Sequence, residues 1–330
     1  MRVGHVAFKQ GPPNGMRNSI EPLIRAERAE GCDSFVVGMP GFNGFEGSSL
    51  DSQADIYVMH SLCTSKDLKQ LFPDGKYVLF TRALPSYIFD AMLEDDQSRL
   101  DATLSLIDAV DCVVDTQMTG FQYYAELLKR RSTPVLLVDS GVDMERFNPD
   151  VKPAKLPGQL KLLWADSIIN VQRPWNAIFA TKMLANGTSK AVLTLIVKSE
   201  LVPRIKRLAS QLGISDNINA IPQVDDIERY YAGADVVIAC TAFHSSEASM
   251  CTKEALACGK PVIVQKSAGW APAQMRSNDD PRSIADAIGK LAMDDALRAP
   301  SLYRDLAAAR FDVRKTASQM IRIYKSVLEG

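Results

Sequence analysis

Short apolar, β-branched runs recur along the chain, each followed by a longer segment whose apolar positions have helical spacing. In the first half this pattern predicts strands at Arg2–Ala7, Ser34–Val37, Ile56–Met59, Tyr77–Phe80, Cys112–Val114 and Val135–Val138. Between them, Ser19–Glu30 carries Ile20, Leu23 and Ile24 at i, i+3 and i+4, which is one face of a helix. The stripe is short, because a charged residue, Glu27, holds the i+7 position. Pro22 fits this helix only as part of its first turn, where a missing N–H costs nothing. Tyr87–Ala109 and Gly120–Lys129 also read as helical. Strand–helix alternation of this kind means a parallel sheet covered on both faces.

The texture changes after Phe147. Residues Asn148 to Gly158 are rich in proline and lysine and poor in apolar side chains, as a linker is. The alternation then restarts, with strands expected at Leu160–Trp164, Val192–Val197, Ile218–Ile221, Val236–Cys240 and Pro261–Val264. Two similar α/β halves joined in this way imply a ligand held in the cleft between them, beyond the carboxyl ends of strands. One glycine-rich stretch, Gly38 to Gly47, follows a strand and imitates a dinucleotide loop. Its glycines recur every third residue, which is not GxGxxG, so it reads as a loop lining the cleft.

Composition narrows the class. A length of 330 residues exceeds what one core serves, and 46% apolar with 23% charged residues is ordinary for a soluble globular protein. The formal net charge of −1 supplies no global field toward nucleic acid. Six cysteines are scattered without a CxxC pair and there are only three histidines, which argues against a disulfide framework and a zinc site. The N-terminus reads as a strand rather than a signal peptide, and no window approaches a membrane span, so a cytoplasmic protein, in peripheral contact with a membrane at most, is expected.

Three stretches together resemble the GT-B glycosyltransferases, in particular the retaining family 4 (group 1) enzymes that use nucleotide-sugar donors. Val138 to Pro149 is similar to the segment that closes the N-terminal domain of that family. Ala234 to Ala239 with Glu254 to Val264 resembles its donor-binding segment, and Phe311-Asp-Val with the following amphipathic helix resembles its closing helix. The resemblance implies two Rossmann-like doubly wound domains facing a cleft. These are an acceptor domain over 1–150, a donor domain over 151–310, and a helix over 311–330 returning to the first.

Site residues follow from the same resemblance. The helix from Cys251 to Cys258 ends at Gly259, and its first amides, at Met250, Cys251 and Thr252, suit a diphosphate. Glu254 takes the place of the family's ribose-binding glutamate. The family has seven residues between its two glutamates, whereas Glu247 and Glu254 have six between them, so either Glu247 or Ser246 occupies the first position. His244 lies in the same loop. Arg173 falls on the family's lysine position ahead of a helix that Pro174 can start, the arginine position holds Asp166, and Lys198 offers a replacement charge. In the first half, Gly15 permits close backbone approach to a phosphate or sugar. Arg82 stands where the family carries a histidine near the donor sugar, and His60 is the remaining histidine candidate.

The implied reaction is hexosyl transfer from a nucleotide sugar to an acceptor hydroxyl with retention, in which the departing phosphate itself takes the acceptor's proton. Such chemistry needs positioning and cations around the leaving group more than a dedicated base. No DxD triplet occurs, so metal-independent transfer with no cofactor beyond the sugar nucleotide is expected. A glycan or lipid-linked hydroxyl is the expected acceptor. Two alternatives stand beside it: a transferase for hydroxymethylated DNA bases, drawing on Lys129-Arg130-Arg131, and a degenerate sugar-nucleotide binder without turnover.

Overall fold

The computed structural model describes residues 1–6, 13–37, 53–60, 74–81, 97–129, 133–165, 174–185, 190–239 and 248–330. The first elements in chain order are β1 (Arg2–Val6), α1 (Pro13–Ala29), β2 (Asp33–Val37), β3 (Ile56–Met59), β4 (Lys76–Thr81), α2 (Gln97–Ala109), β5 (Cys112–Asp115), α3 (Met118–Leu127) and β6 (Val135–Leu137). Then come β7 (Leu160–Ala165), α4 (Pro174–Ala185), β8 (Ala191–Val197), α5 (Val202–Gln211), β9 (Ile218–Pro222), α6 (Ile227–Gly233), β10 (Val236–Ile238) and α7 (Met250–Ala257). The chain closes with β11 (Val262–Gln265), β12 (Arg276–Ser277), α8 (Pro281–Met293), α9 (Pro300–Phe311) and α10 (Val313–Glu329).

Two compact units result, Met1–Gly141 with Val313–Gly330, and Val142–Asp312. Each holds a six-stranded sheet whose neighbours pair in parallel, ordered β2-β1-β3-β4-β5-β6 in the first unit and β12-β11-β10-β7-β8-β9 in the second.

The two-residue period of the strands sends alternate side chains to opposite faces, so each sheet serves two cores. On one face of the first sheet Ile56, Val58, Val78 and Phe80 pack with Leu23 of α1 and with Ala317, Met320 and Tyr324 of α10. On the other, Tyr57, Met59 and Leu79 meet Leu106 and Ile107 of α2 and Tyr124 of α3. In the second unit, Leu163 and Val237 face Ala255 and Leu256 of α7 and Tyr303 of α9, while Leu162, Leu193 and Leu195 face Ile178 of α4 and Ile284 and Ile288 of α8.

Three expectations change. Helix α1 begins at Pro13, so Pro22 sits in its interior and removes one backbone hydrogen bond there. The Pro-rich stretch after Phe147 is not a free linker: Ala154 N–H donates to the Arg229 carbonyl (2.8 Å), and Leu156 is buried against Tyr231 and Ala234 in the second unit's core. The chain passes between units at Gly141 and Val142, ahead of residue 150, because Met144 and Phe147 belong to that same core. The two-residue strand β12 has no signal in the hydrophobic pattern.

Candidate functional site

From β9 to β12 the second sheet reads β9-β8-β7-β10-β11-β12, the doubly wound order that reverses between β7 and β10. Ligands of open parallel sheets bind beyond the carboxyl ends of strands at such a reversal. The chain leaves β7 into 166–173 and β10 into 240–247, and α7 follows directly.

Ser249 caps α7. Its backbone is extended, and its Oγ accepts from the Thr252 N–H (3.3 Å) and lies 2.9 Å from Thr252 Oγ1 and 3.0 Å from Cys251 Sγ. The cap engages the Thr252 amide, so the tip of the helix presents the amides of Met250 and Cys251, with the positive end of the helix dipole behind them. At the other end Gly259 takes φ 71°. Its amide and that of Lys260 close back on the carbonyls of Leu256 and Ala255, the paired bonds of a Schellman stop. A Cβ on Gly259 would also lie 2.8 Å from Pro300 Cβ and 3.0 Å from its carbonyl oxygen.

Glu254 is not a solvated helix charge. Only 5% of it is exposed, and its Oε2 accepts from the Tyr231 hydroxyl of α6 at 3.0 Å. A carboxyl group held on one oxygen by a phenol is oriented, and its oxygens can accept from diol donors. Burial foremost, then the charge of Glu254, pushes the neighbouring Cys258 thiol up to about 12, so that cysteine stays a neutral packing group.

Lys198 follows the carboxyl end of β8, next to β7, and is exposed. Gly15 falls in the first turn of α1. Arg82, Arg173 and Glu247 lie outside the described residues, as do Ser246, His244 and Asp166. Of the basic cluster, Arg130 and Arg131 are likewise outside, and Lys129 pairs with Glu126 at 3.4 Å on an exposed helix end. Among the described residues no helix is long and apolar enough to cross a membrane.

The segment Val138–Pro149 is fixed by its own side chains and by contacts with later elements. Asp143 Oδ1 accepts from the amides of Glu145 and Arg146 (3.0 Å each), and Arg146 reaches Glu228 with Nε and Nη2 at 3.0 and 2.9 Å. A Cβ on Gly141 would stand 2.3 Å from the Val313 Cα, which requires glycine there. Arg304 of α9 donates to the carbonyls of Met144 (2.8 Å), Phe147 (2.6 Å) and Ala257 (2.8 Å), placing a cation at the negative end of α7.

Two partners escaped the sequence reading. Ser249 stands three residues before Thr252, a capping spacing that was legible. Tyr231 reaches Glu254 across twenty-three positions, which no local pattern reveals. A third feature lies in the first unit. Asp115, at the carboxyl end of β5, is buried beneath Gly120 with its Oδ1 accepting from the Gln117 amide (2.6 Å). Burial pushes its carboxyl up to about 7 against the pull of the Gln117 and Thr116 amides.

Residues 176–294 match the family described as Glycosyl transferases group 1. D-inositol 3-phosphate glycosyltransferase of Corynebacterium jeikeium (strain K411) is 23% identical over 264 residues, which is 72% of this chain and 62% of that protein. The enzyme of the same name from Saccharomonospora viridis is 27% identical over 242 residues, covering 66% of this chain and 55% of that protein. The alignments thus span less than two thirds of these relatives' own length. Among solved structures, sucrose-phosphate synthase from Thermosynechococcus elongatus superposes with a TM-score of 0.73 at 17% identity, over 99% of both chains. Anabaena HepE in complex with UDP-glucose gives 0.71 at 14% identity, over 99% of this chain and 100% of the other. Two parallel six-stranded sheets and these likenesses converge on one architecture: the chain has the GT-B fold, and its residues 176–294 are similar to the Glycosyl transferases group 1 family.

Proposed function

We propose that the chain transfers a hexose from a nucleoside-diphosphate sugar to an acceptor hydroxyl, with retention at the anomeric carbon and without a metal ion. The observation that carries this reading is the capped start of α7 at the strand-order reversal of the second unit, with Glu254 buried one turn in, inside the matched residues. The amides of Met250 and Cys251 hold the diphosphate, with Thr252 completing the turn around it, and Glu254 accepts hydrogen bonds from the ribose diol. Arg173 and Lys198 stabilise the charge that develops on the leaving diphosphate. Glu247 contacts the transferred sugar, and Gly15 and Arg82 are the further residues assigned to binding of the sugar and acceptor. The departing phosphate takes the proton of the acceptor hydroxyl as the new glycosidic bond forms. Anabaena HepE, solved with UDP-glucose, supports a uridine nucleotide as the first donor to try.

The test is release of nucleoside diphosphate across UDP-, ADP- and GDP-sugars, with glycan, lipid-linked and inositol-phosphate acceptors, in the presence and absence of EDTA. Release that survives EDTA, with an α-linked product from an α-linked donor, is expected. Thermal stabilisation by a donor without release of nucleotide would sink the transferase reading and leave a binding protein.

A further inference from the structure

Helix α4 is apolar on both of its sides. On the inner side Ala177, Ile178 and Ala180 are buried in one core with Leu162, Leu193 and Leu195 of the second sheet, as a covering helix requires. On the outer side Trp175, Phe179 and Met183 follow at i, i+4 and i+8, a single stripe, and are 39%, 37% and 39% exposed. No other residue of the helix is exposed, and its one charged side chain, Lys182, is half-buried. A surface helix ordinarily turns polar residues outward, so this stripe needs a cover.

The surroundings of the stripe carry charge of one sign. Helices α4, α5 and α8 share the same core on one face of the sheet. Helix α4 packs along α8, and α5 lies against β9 at the sheet edge. Asn176 fixes the start of α4 by donating to Asp279 Oδ1 (2.9 Å) and to the Asp279 carbonyl (3.1 Å). Arg204, Lys206 and Arg207 are exposed on α5, which holds no acid, while α8 exposes Arg282 and Lys290 with Asp286. With Lys182, six basic side chains stand against one acidic side chain on these helices, in a chain whose formal net charge is −1. Among the described residues none of the six takes part in an ion pair. Further acids stand at the helix ends, where Glu200 precedes α5 and Asp280 and Asp294 accept from the amides of Ser283 and Ala296.

Charge and area select the cover. A two-fold contact sets a patch against itself, so a second copy of this chain would press six cations against six more. A folded partner is poorly matched in size. Two fifths of three such side chains is about 300 Å² of apolar surface, against the roughly 800 Å² that each partner contributes to a stable complex. A short apolar stripe flanked by lysine and arginine is what an interfacial helix offers to lipid: the apolar groups enter the acyl boundary and the cations meet anionic headgroups. Tryptophan suits that boundary because its ring is apolar and its N–H is polar.

We propose that the α4 layer of the second unit is a docking surface for an anionic phospholipid bilayer. Trp175, Phe179 and Met183 enter the headgroup boundary, and the basic side chains of α5 and α8 engage the headgroups. This is peripheral attachment, consistent with the absence of a membrane-crossing helix among the described residues. It does not depend on the transferase reading, because none of these residues is assigned to donor or acceptor.

The experiment is co-sedimentation of the full chain with vesicles of phosphatidylcholine alone and of equal parts phosphatidylcholine and phosphatidylglycerol. A parallel fluorescence measurement uses lipid brominated on its acyl chains. Of the three tryptophans, Trp164 is buried and Trp270 half-buried, so Trp175 is the one expected to be quenched. The chain should sediment with the mixed vesicles and not with the neutral ones, and added salt should weaken the attachment by screening it. Trp175→Phe should remove the quenching and keep the sedimentation. Phe179→Glu should lower vesicle affinity by roughly tenfold or more. Lys206→Gln combined with Arg207→Gln should do the same by roughly tenfold. That pair lies at exposed positions and leaves the core intact, so it decides the matter even where Phe179→Glu fails to fold. No sedimentation with the mixed vesicles, or equal sedimentation with both compositions, overturns the proposal. Attachment without quenching of Trp175, or attachment that neither the Phe179 variant nor the Lys206 and Arg207 variant weakens, also overturns it. A dimer in sedimentation velocity that Phe179→Glu abolishes would assign the stripe to a second copy and overturn lipid docking.

Discussion

Glu254 and Asp115 are both buried carboxylates, and their surroundings give them opposite character. Glu254 has the Tyr231 hydroxyl as a donor and sits within one turn of a helix start. Replacing it by Gln keeps the phenol contact but removes the charge-assisted acceptor, so UDP-glucose affinity should fall about tenfold, or about 1.4 kcal/mol. Isothermal calorimetry checks this, and unchanged affinity would remove Glu254 from the ribose site. Asp115 has its carboxyl raised from 3.8 to about 7 by burial. Between those values the unfolded chain gives up a proton that the folded chain keeps. Stability therefore falls as pH rises through that window, by up to about 1.4 kcal/mol per pH unit, and the loss is complete above about 7. Asp115→Asn should be more stable than wild type in urea unfolding at pH about 8, with the difference vanishing below about pH 4. Glu27 behaves in the opposite sense, because its carboxyl is lowered from 4.5. Its contribution is present above that value and is lost as pH falls through the lowered one.

Among the elements, α7 is defined at both ends by chemistry that the sequence displays. Ser249 accepts at the start, and Gly259 with a left-handed backbone stops the other end. Ser249→Ala should cost about 1 kcal/mol of stability. It should also release the Thr252 amide, so that donor affinity changes by less than the stability does; differential scanning calorimetry and donor titration on the same sample separate the two effects. Helix α1 shows the limit of pattern reading. Its apolar spacing was visible, but Glu27 looked like a defect because its two hydrogen-bond partners come from β1 and from the far end of the chain. The Pro-rich stretch after Phe147 looked like a linker by composition. Ala154 and Leu156 are nonetheless fixed by α6, which follows some seventy positions later.

At the scale of the whole molecule, α10 is the last element in sequence yet part of the first unit's core. Ala317, Met320 and Tyr324 are fully buried there with Leu23, Val58 and Phe80. Tyr324 stays a neutral donor, since burial first and the charge of Glu27 second push its phenol far up. Deleting 313–330 should therefore strip hydrogen-exchange protection from β1, β3 and β4 while β7, β8 and β10 keep theirs. Each large side chain removed from the core costs on the order of 2–5 kcal/mol, which is enough to unfold one unit. Uniform loss of protection across both sheets would contradict two separately cored units.

The sequence by itself determined the alternation of strands and helices, eleven strand positions to within a residue or two, and the helix–glycine–strand run around Glu254. Those features rest on local periodicity and on backbone demands such as the positive φ of Gly259, which neighbours in sequence express directly. The tertiary structure alone decided the strand order of each sheet, and hence the two reversals of winding, the positions where open parallel sheets receive ligands. It also decided which charged residues lie inside. Glu27, Asp115 and Glu254 carry the same carboxyl group in the sequence; only their folded surroundings make one a buried carboxylate held by His5 and Tyr324, one a raised acid and one an oriented acceptor.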